Sequence, residues 1–158
     1  MMGNDGGGEA GCYTQAVIKE VLRAKPPLLL PRKATVDSSI GGYFVPAGST
    51  VLVNNWALTH GEKLWQNPMI FRPERWLEEE RRLTEESIDS CKFIPYSIGR
   101  RVCPGSKLAD AELTTAVHAL LRNVRWTRNK MSLIDLREEY SLTLAPTISQ
   151  SLLFERVL

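Results

Sequence analysis

No long apolar run occurs in this sequence. The most hydrophobic stretch is short, around Leu28-Leu-Leu30, where a membrane-spanning helix needs roughly 20 apolar residues. No signal-peptide pattern opens the chain. Cysteine is scarce: Cys12, Cys91 and Cys103 form neither a disulfide framework nor a zinc spacing, which points to a reducing compartment. The two histidines, His60 and His118, have no partners at metal-ligand spacing. Neither sign of charge dominates: 20 basic and 18 acidic side chains leave a net +2, so nothing argues for nucleic acid. Internal repeats are absent. What is there is a chain of 158 residues, 43% hydrophobic, a one-domain length with enough apolar content for a core.

The coarse pattern is of helices with short strands between them. Tyr13 to Ala24 reads as a helix with Val17, Val21 and Ala24 on one face and Glu20 and Arg23 on another. Pro26-Pro27 stops it, and Leu28 to Arg32 is extended because the residue before a proline is pushed out of helical space. Tyr43–Val45 and Thr50–Asn54 read as strands joined by the turn Pro46-Ala-Gly48. Trp56 to Trp65 suits short helical turns, and Asn67-Pro68 and Arg72-Pro73 punctuate the loop that follows. Trp76 to Ser90 is highly charged and reads as a solvated connector. The clearest helix is Ser106 to Asn123. Ala109, Leu113, Ala116, Val117 and Leu120 recur along it at three- and four-residue spacing, Asp110 and Glu112 suit its first turns, and Arg122 suits its last. Short strands are expected at Ser141–Leu144 and Leu152–Phe154.

Between connector and helix lies Pro95-Tyr96-Ser-Ile-Gly99-Arg100-Arg101-Val-Cys103-Pro-Gly105. A single cysteine sits in a basic loop bracketed by glycines, just ahead of an amphipathic helix. Glycine at 99 and 105 lets backbone turn sharply and lie flat against a planar ligand. Arg101 supplies a fixed cation for an anionic group. Cys103 can be held as a thiolate by a metal and by N–H groups at the helix start. A macrocycle with iron and two carboxylates meets these needs. A lone zinc ion does not, because further ligands are missing.

The loop resembles the heme-binding signature Phe-x-x-Gly-x-Arg-x-Cys-x-Gly of the cytochrome P-450 monooxygenases, with Tyr96 in place of the phenylalanine. Two further motifs stand upstream in the family's order. Glu20-Val-Leu-Arg23 resembles the K-helix Glu-x-x-Arg, and Pro73-Glu74-Arg75-Trp76 resembles Pro-Glu-Arg-Phe. On average residue usage, Gly99, Arg101, Cys103 and Gly105 alone coincide roughly once in 10⁵ start positions.

The resemblance runs from about Tyr13 to the C-terminus, roughly the last third of a family member. It implies a mainly α fold with small β segments (α+β), the C-terminal part of the cytochrome P-450 fold. Residues 1–12, with Gly6-Gly-Gly8, match nothing in the family and read as a disordered lead-in; 13–158 form the partial domain.

The same resemblance implies heme b as cofactor, with Cys103 as axial iron ligand and with Arg32, Phe93, Tyr96, Gly99, Arg101 and Gly105 around it. Arg101 and Arg32 would pair with heme propionates. Phe93 and Ile98 would pack near the macrocycle. Glu20, Arg23 and Arg75 would form a buried structural triad. Leu28 to Leu30 and Leu144–Ile148 match stretches that line a substrate pocket, for a small apolar organic substrate. Arg100 and Lys107 could attract an acidic electron donor, a flavin reductase, or serve as solvated charges.

The family's oxygen-activating helix lies N-terminal to Glu-x-x-Arg, so no catalytic residue is assigned. The inherited function is monooxygenation. The alternative is a truncated, catalytically inactive heme-binding remnant or a structural fragment. Full-length members sit on the cytosolic face of the endoplasmic reticulum; the chain as read carries no anchor, which leaves it soluble if expressed.

Overall fold

The computed structural model describes residues 9–26, 30–80, 92–128, 137–140, 144–146 and 152–156. Helix α1 spans Glu9–Ala24, beginning before the Tyr13 start that periodicity marks; residues 9–12 are helical, and 1–8 lie outside the described residues. The face it buries is the one that carries Glu20 and Arg23, as the triad implied by the resemblance requires. Val21, on the apolar face, is 48% exposed, whereas Glu20 and Arg23 are 0% and 1% exposed. A polar face goes inward because the rest of the fold supplies its hydrogen-bond partners there.

Four short strands follow. β1 (Leu30–Lys33) pairs antiparallel with β4 (Thr50–Val53), and β2 (Ser38–Ile40) with β3 (Tyr43–Val45). The turn at Pro46–Gly48 joins β3 to β4, as read from sequence, but these two strands do not pair with each other. The hairpin forms instead at Gly41-Gly42, whose φ values of 58° and 85° suit a two-residue turn between Ile40 and Tyr43. Pro46–Gly48 folds back on the β1–β2 connection: the Gly48 amide donates to the Ala34 carbonyl at 2.7 Å and the Ala47 amide to Asp37 Oδ1 at 2.7 Å.

Helix α2 (Asn55–His60) is capped by Asn54, whose Oδ1 accepts from the Ala57 amide at 2.9 Å. Helix α3 (Glu74–Glu80) replaces the start of the expected connector, and Trp76 within it is buried; residues 81–91 lie outside the described residues. A 3₁₀ turn at Gly99–Arg101 leads to α4 (Ser106–Asn123), with the bounds read from sequence. β5 (Val124–Arg128) pairs with β8 (Leu152–Arg156), and β6 (Glu138–Tyr140) with β7 (Leu144–Pro146). Of the strand expected at Ser141–Leu144, Leu144 opens β7, and 141–143 lie outside the described residues.

Every described sheet is two-stranded and antiparallel, and the architecture is the helix-rich α+β expected. The apolar core is small: Ala16, Trp65 and Trp76, with Leu77 and Phe93 against it. The Trp76 ring meets Trp65 at 5.4 Å and Phe93 at 4.6 Å, both in the tilted geometry aromatic quadrupoles favour. Helix α4 buries none of its residues, and Leu113 and Leu120 of its apolar face are exposed.

Candidate functional site

Two arrangements of chemistry-bearing residues emerge. The first joins α1 to α3. The Glu20 carboxylate accepts five hydrogen bonds: from Arg23 Nε and Nη2 at 2.9 Å each, the Arg72 amide at 2.9 Å, Arg75 Nε at 3.2 Å and Trp76 Nε1 at 3.0 Å. Arg75 Nε lies equally near both carboxylate oxygens. Each guanidinium spends its remaining donors on backbone. Arg23 Nη1 reaches the Thr59 carbonyl at 2.7 Å, and Arg75 reaches the carbonyls of Gln66, Asn67 and Ile70. Burial pushes the Glu20 carboxyl up, but the hydrogen bonds from Arg23, the Arg72 amide and Trp76, with the Arg23 charge, outweigh it and hold the group below the usual range. The structure brings Glu20, Arg23 and Arg75 together as the motifs imply. It adds the Arg72 amide and Trp76, whose only sequence signal was the latter's place in Pro-Glu-Arg-Trp.

The second arrangement is the cysteine loop. Gly99 has φ +75°, a conformation that L side chains rarely adopt, and Ser97 also has positive φ at +67°. The loop is closed by the Cys103 amide, which donates to the Tyr96 carbonyl at 2.9 Å, and by the Val102 amide, which donates to Gly99 at 3.0 Å. The Cys103 sulfur is free and exposed. Gly105 departs from the sequence reading. Its φ is −87°, so no left-handed turn requires glycine there, and a Cβ would only come into ordinary contact, 3.9 Å from Cys103 Sγ.

Tyr96 is half-buried, and its hydroxyl donates to Asp110 Oδ1 of α4 at 2.7 Å. Burial first, then the Asp110 hydrogen bond and the charges of Asp110 and Cys103, push the phenol up to about 12, so it remains a donor. Asp110 therefore serves the loop from the helix's second turn, rather than the helix start as its sequence position suggested. Sequence gave no signal for this pairing.

Arg32, from β1, and Arg101, from the cysteine loop, face one cleft. Together with Pro31, Lys33, Thr35 and Arg100 they line this open cleft of about 790 Å³. Arg32 Nη2 donates to Ser97 Oγ at 2.5 Å, which ties β1 to the cysteine loop. Cys103 follows two residues after Arg101 and is not part of the cleft lining. Phe93 belongs with the other arrangement, against Trp76, and does not line this cleft; Ile98 is exposed. Of the stretches matched to a substrate pocket, Leu28–Leu30 and Leu144–Ile148, residues 28–29 and 147–148 lie outside the described residues. His60 stacks on Trp56 at 3.6 Å, with Nδ1 3.0 Å from Thr59 Oγ1; burial and the Arg23 charge lower its pKa. No cluster of three or more metal-ligating His, Cys, Asp or Glu occurs among the described residues.

Comparison with known proteins places this geometry. The cytochrome P-450 family model matches residues 12–152. The chain is 45% identical over 116 residues to a ferruginol synthase of Salvia pomifera, covering 72% of this chain and 25% of that protein. It is 41% identical over 140 residues to the (+)-menthofuran synthase of Mentha piperita, covering 85% of this chain and 26% of the relative. The chain thus spans about a quarter of the length of the curated relatives it matches. Among solved structures, a zebrafish cytochrome P-450 determined with abiraterone superposes with a TM-score of 0.79 at 33% identity, over 92% of this chain and 33% of that one. A match over most of the sequence, a shared fold, and a glycine-turned cysteine loop beside a buried Glu–Arg–Arg network together make this chain a member of the cytochrome P-450 family.

Proposed function

We propose that this chain builds the thiolate side of a heme b pocket in a monooxygenase, one that inserts one atom of O₂ into a small apolar organic substrate. The observation that carries this reading is the convergence of Arg32, from β1, and Arg101, from the cysteine loop, on one cationic cleft in the segment that exposes the Cys103 sulfur. The residues fit the group. Two guanidiniums suit two carboxylates through paired hydrogen bonds. The exposed thiol suits an axial ligand. At Gly99 a Cβ would meet nothing within 4 Å, which leaves the loop's face open to a flat ligand.

Heme, when bound, would supply the oxygen chemistry, and the Cys103 thiolate would donate electron density to its iron. This chain's own residues hold that group in place. Arg32 and Arg101 would take its carboxylates and Cys103 its iron. Tyr96, Gly99 and Gly105 shape the loop. The Glu20–Arg23–Arg75 network keeps α1 and α3 fixed behind it. Phe93 supports the loop from the aromatic core. Electrons come from a flavin reductase, for which exposed Arg100 and Lys107 offer a positive surface to an acidic partner. The whole protein is assigned to the cytosolic face of the endoplasmic reticulum; among the described residues no helix is long and apolar enough to cross a membrane.

The test is the visible spectrum of the purified chain with added hemin, reduced under carbon monoxide, beside Cys103→Ala. A red-shifted thiolate-type Soret band that disappears in the variant is expected. Its absence from the parent, or its persistence in Cys103→Ala, overturns the assignment. A second reading, a heme-holding fragment without turnover of its own, is favoured by α4, which leaves Leu113 and Leu120 exposed. Product formation by the purified chain with a reductase would refute it.

A further inference from the structure

We propose that Asp110 is a positioning residue for Cys103, acting through Tyr96: the side chain of Tyr96 anchors to α4 and its carbonyl holds the Cys103 amide. This inference rests on the heme-thiolate reading for its consequence, though not for its geometry. Two hydrogen bonds on one residue carry it. The Tyr96 hydroxyl donates to Asp110 Oδ1 at 2.7 Å, and the Tyr96 carbonyl accepts from the Cys103 amide at 2.9 Å. The acceptor is charged, which makes this the stronger kind of hydrogen bond.

Packing alone does not fix the ring. A cavity of about 220 Å³, bounded by Ile18, Leu22 and Phe93, lies against Tyr96 and Asp110 on the α1 side. The ring has room to shift into it, and the hydroxyl restrains that motion. The loop between the two bonds contains two positive-φ residues, Ser97 and Gly99, so its backbone follows where its ends are held. A phenylalanine, the residue of the family signature, has no hydroxyl to make this tie. The restraint therefore belongs to this sequence. Its effect is to fix where the thiol stands relative to α4.

Amide hydrogen exchange of the isotopically labelled chain, read by NMR, tests this without any cofactor. In Tyr96→Phe and in Asp110→Ala, exchange of the Cys103 amide should accelerate by about three- to tenfold, the range expected for one net hydrogen bond. The double variant should exchange no faster than the faster single one. Asp110→Asn, which keeps an acceptor oxygen, should stay closer to the parent. The Arg72 amide, bonded to Glu20 in the other arrangement, should remain within about twofold in all four. With hemin and carbon monoxide, the thiolate-type fraction of the Soret band should fall in Tyr96→Phe and Asp110→Ala. An unchanged Cys103 amide in both single variants overturns the proposal. So does parallel acceleration of the Cys103 and Arg72 amides, which would mean general loosening. If the parent forms no thiolate-type band, the heme assignment fails, and amide exchange still decides the role of Asp110.

Discussion

Glu20→Gln should be the most damaging single-atom change in this protein. The carboxylate is fully buried between two guanidiniums that are themselves 1% and 6% exposed. Five donors converge on it. An amide of the same shape keeps one acceptor oxygen but turns an NH₂ toward donors already in place, and it leaves two buried cations without a counter-charge. Removing one partner of a buried pair costs roughly 3–5 kcal/mol. Against a typical domain stability of about 5–15 kcal/mol, that takes from about a fifth to the whole of the total.

Urea unfolding provides the assay, followed by fluorescence of the core tryptophans Trp65 and Trp76 and by far-UV circular dichroism. Glu74→Gln is the control: Glu74 accepts from the Tyr13 hydroxyl at 3.0 Å on the exposed surface and should change stability by no more than about 0.5 kcal/mol. The acid limb supplies a second signature. Folding holds the Glu20 pKa below its ordinary 4.5, so its contribution is complete above that value and fades as pH falls through the depressed folded one. Glu20→Gln should therefore flatten the loss of stability below about pH 4.5. A Glu20→Gln protein within about 1 kcal/mol of the parent, with an unchanged acid limb, would refute the claim that this carboxylate organises the fold.

Three further perturbations follow from the same geometry. Gly61→Ala places a Cβ 2.7 Å from the Ala57 carbonyl oxygen, so α2 must shift at its C-terminus; a loss of about 1–3 kcal/mol in thermal or urea unfolding is expected. Gly99→Ala meets no neighbour but must adopt φ +75°, so it should cost about 1–2 kcal/mol from backbone strain alone, and hemin titration should show weaker binding. His60, whose pKa burial and the Arg23 charge depress below 6.5, should make stability rise with pH between its folded value and 6.5; thermal melts of His60→Gln should lose that slope while those of the parent keep it.

The legible part of this molecule is its local part. Residues 106–123 carry apolar side chains at helical spacing between Gly105 and a β-branched stretch, and α4 takes those bounds. Gly99 sits where the backbone turns left-handed, and Tyr43–Val45 is a strand as its composition indicates. The buried triad was also legible, through the resemblance of Glu20-Val-Leu-Arg23 and Pro73-Glu74-Arg75-Trp76 to the family's motifs; the spacing of Glu20 and Arg23 alone marks only one helix face. Strand partners were not. The two-residue turn at Gly41-Gly42 brings β3 back onto β2, which leaves β4 to pair with β1.

By itself the sequence determined the motifs, both limits of α4, the end of α1 and the chemistry available at each position, because propensity and capping act within a turn or two of the chain. Only the tertiary structure decided the full set of partners that each buried side chain touches. Helix α1 presents its charged face inward because the Arg72 amide, Arg75 and Trp76, more than fifty residues away, converge on Glu20 and satisfy it. Arg32 and Arg101 share a cleft, and Tyr96 finds Asp110, for the same reason. A polar group goes inside only where its partners already stand, and their position is a property of the whole fold.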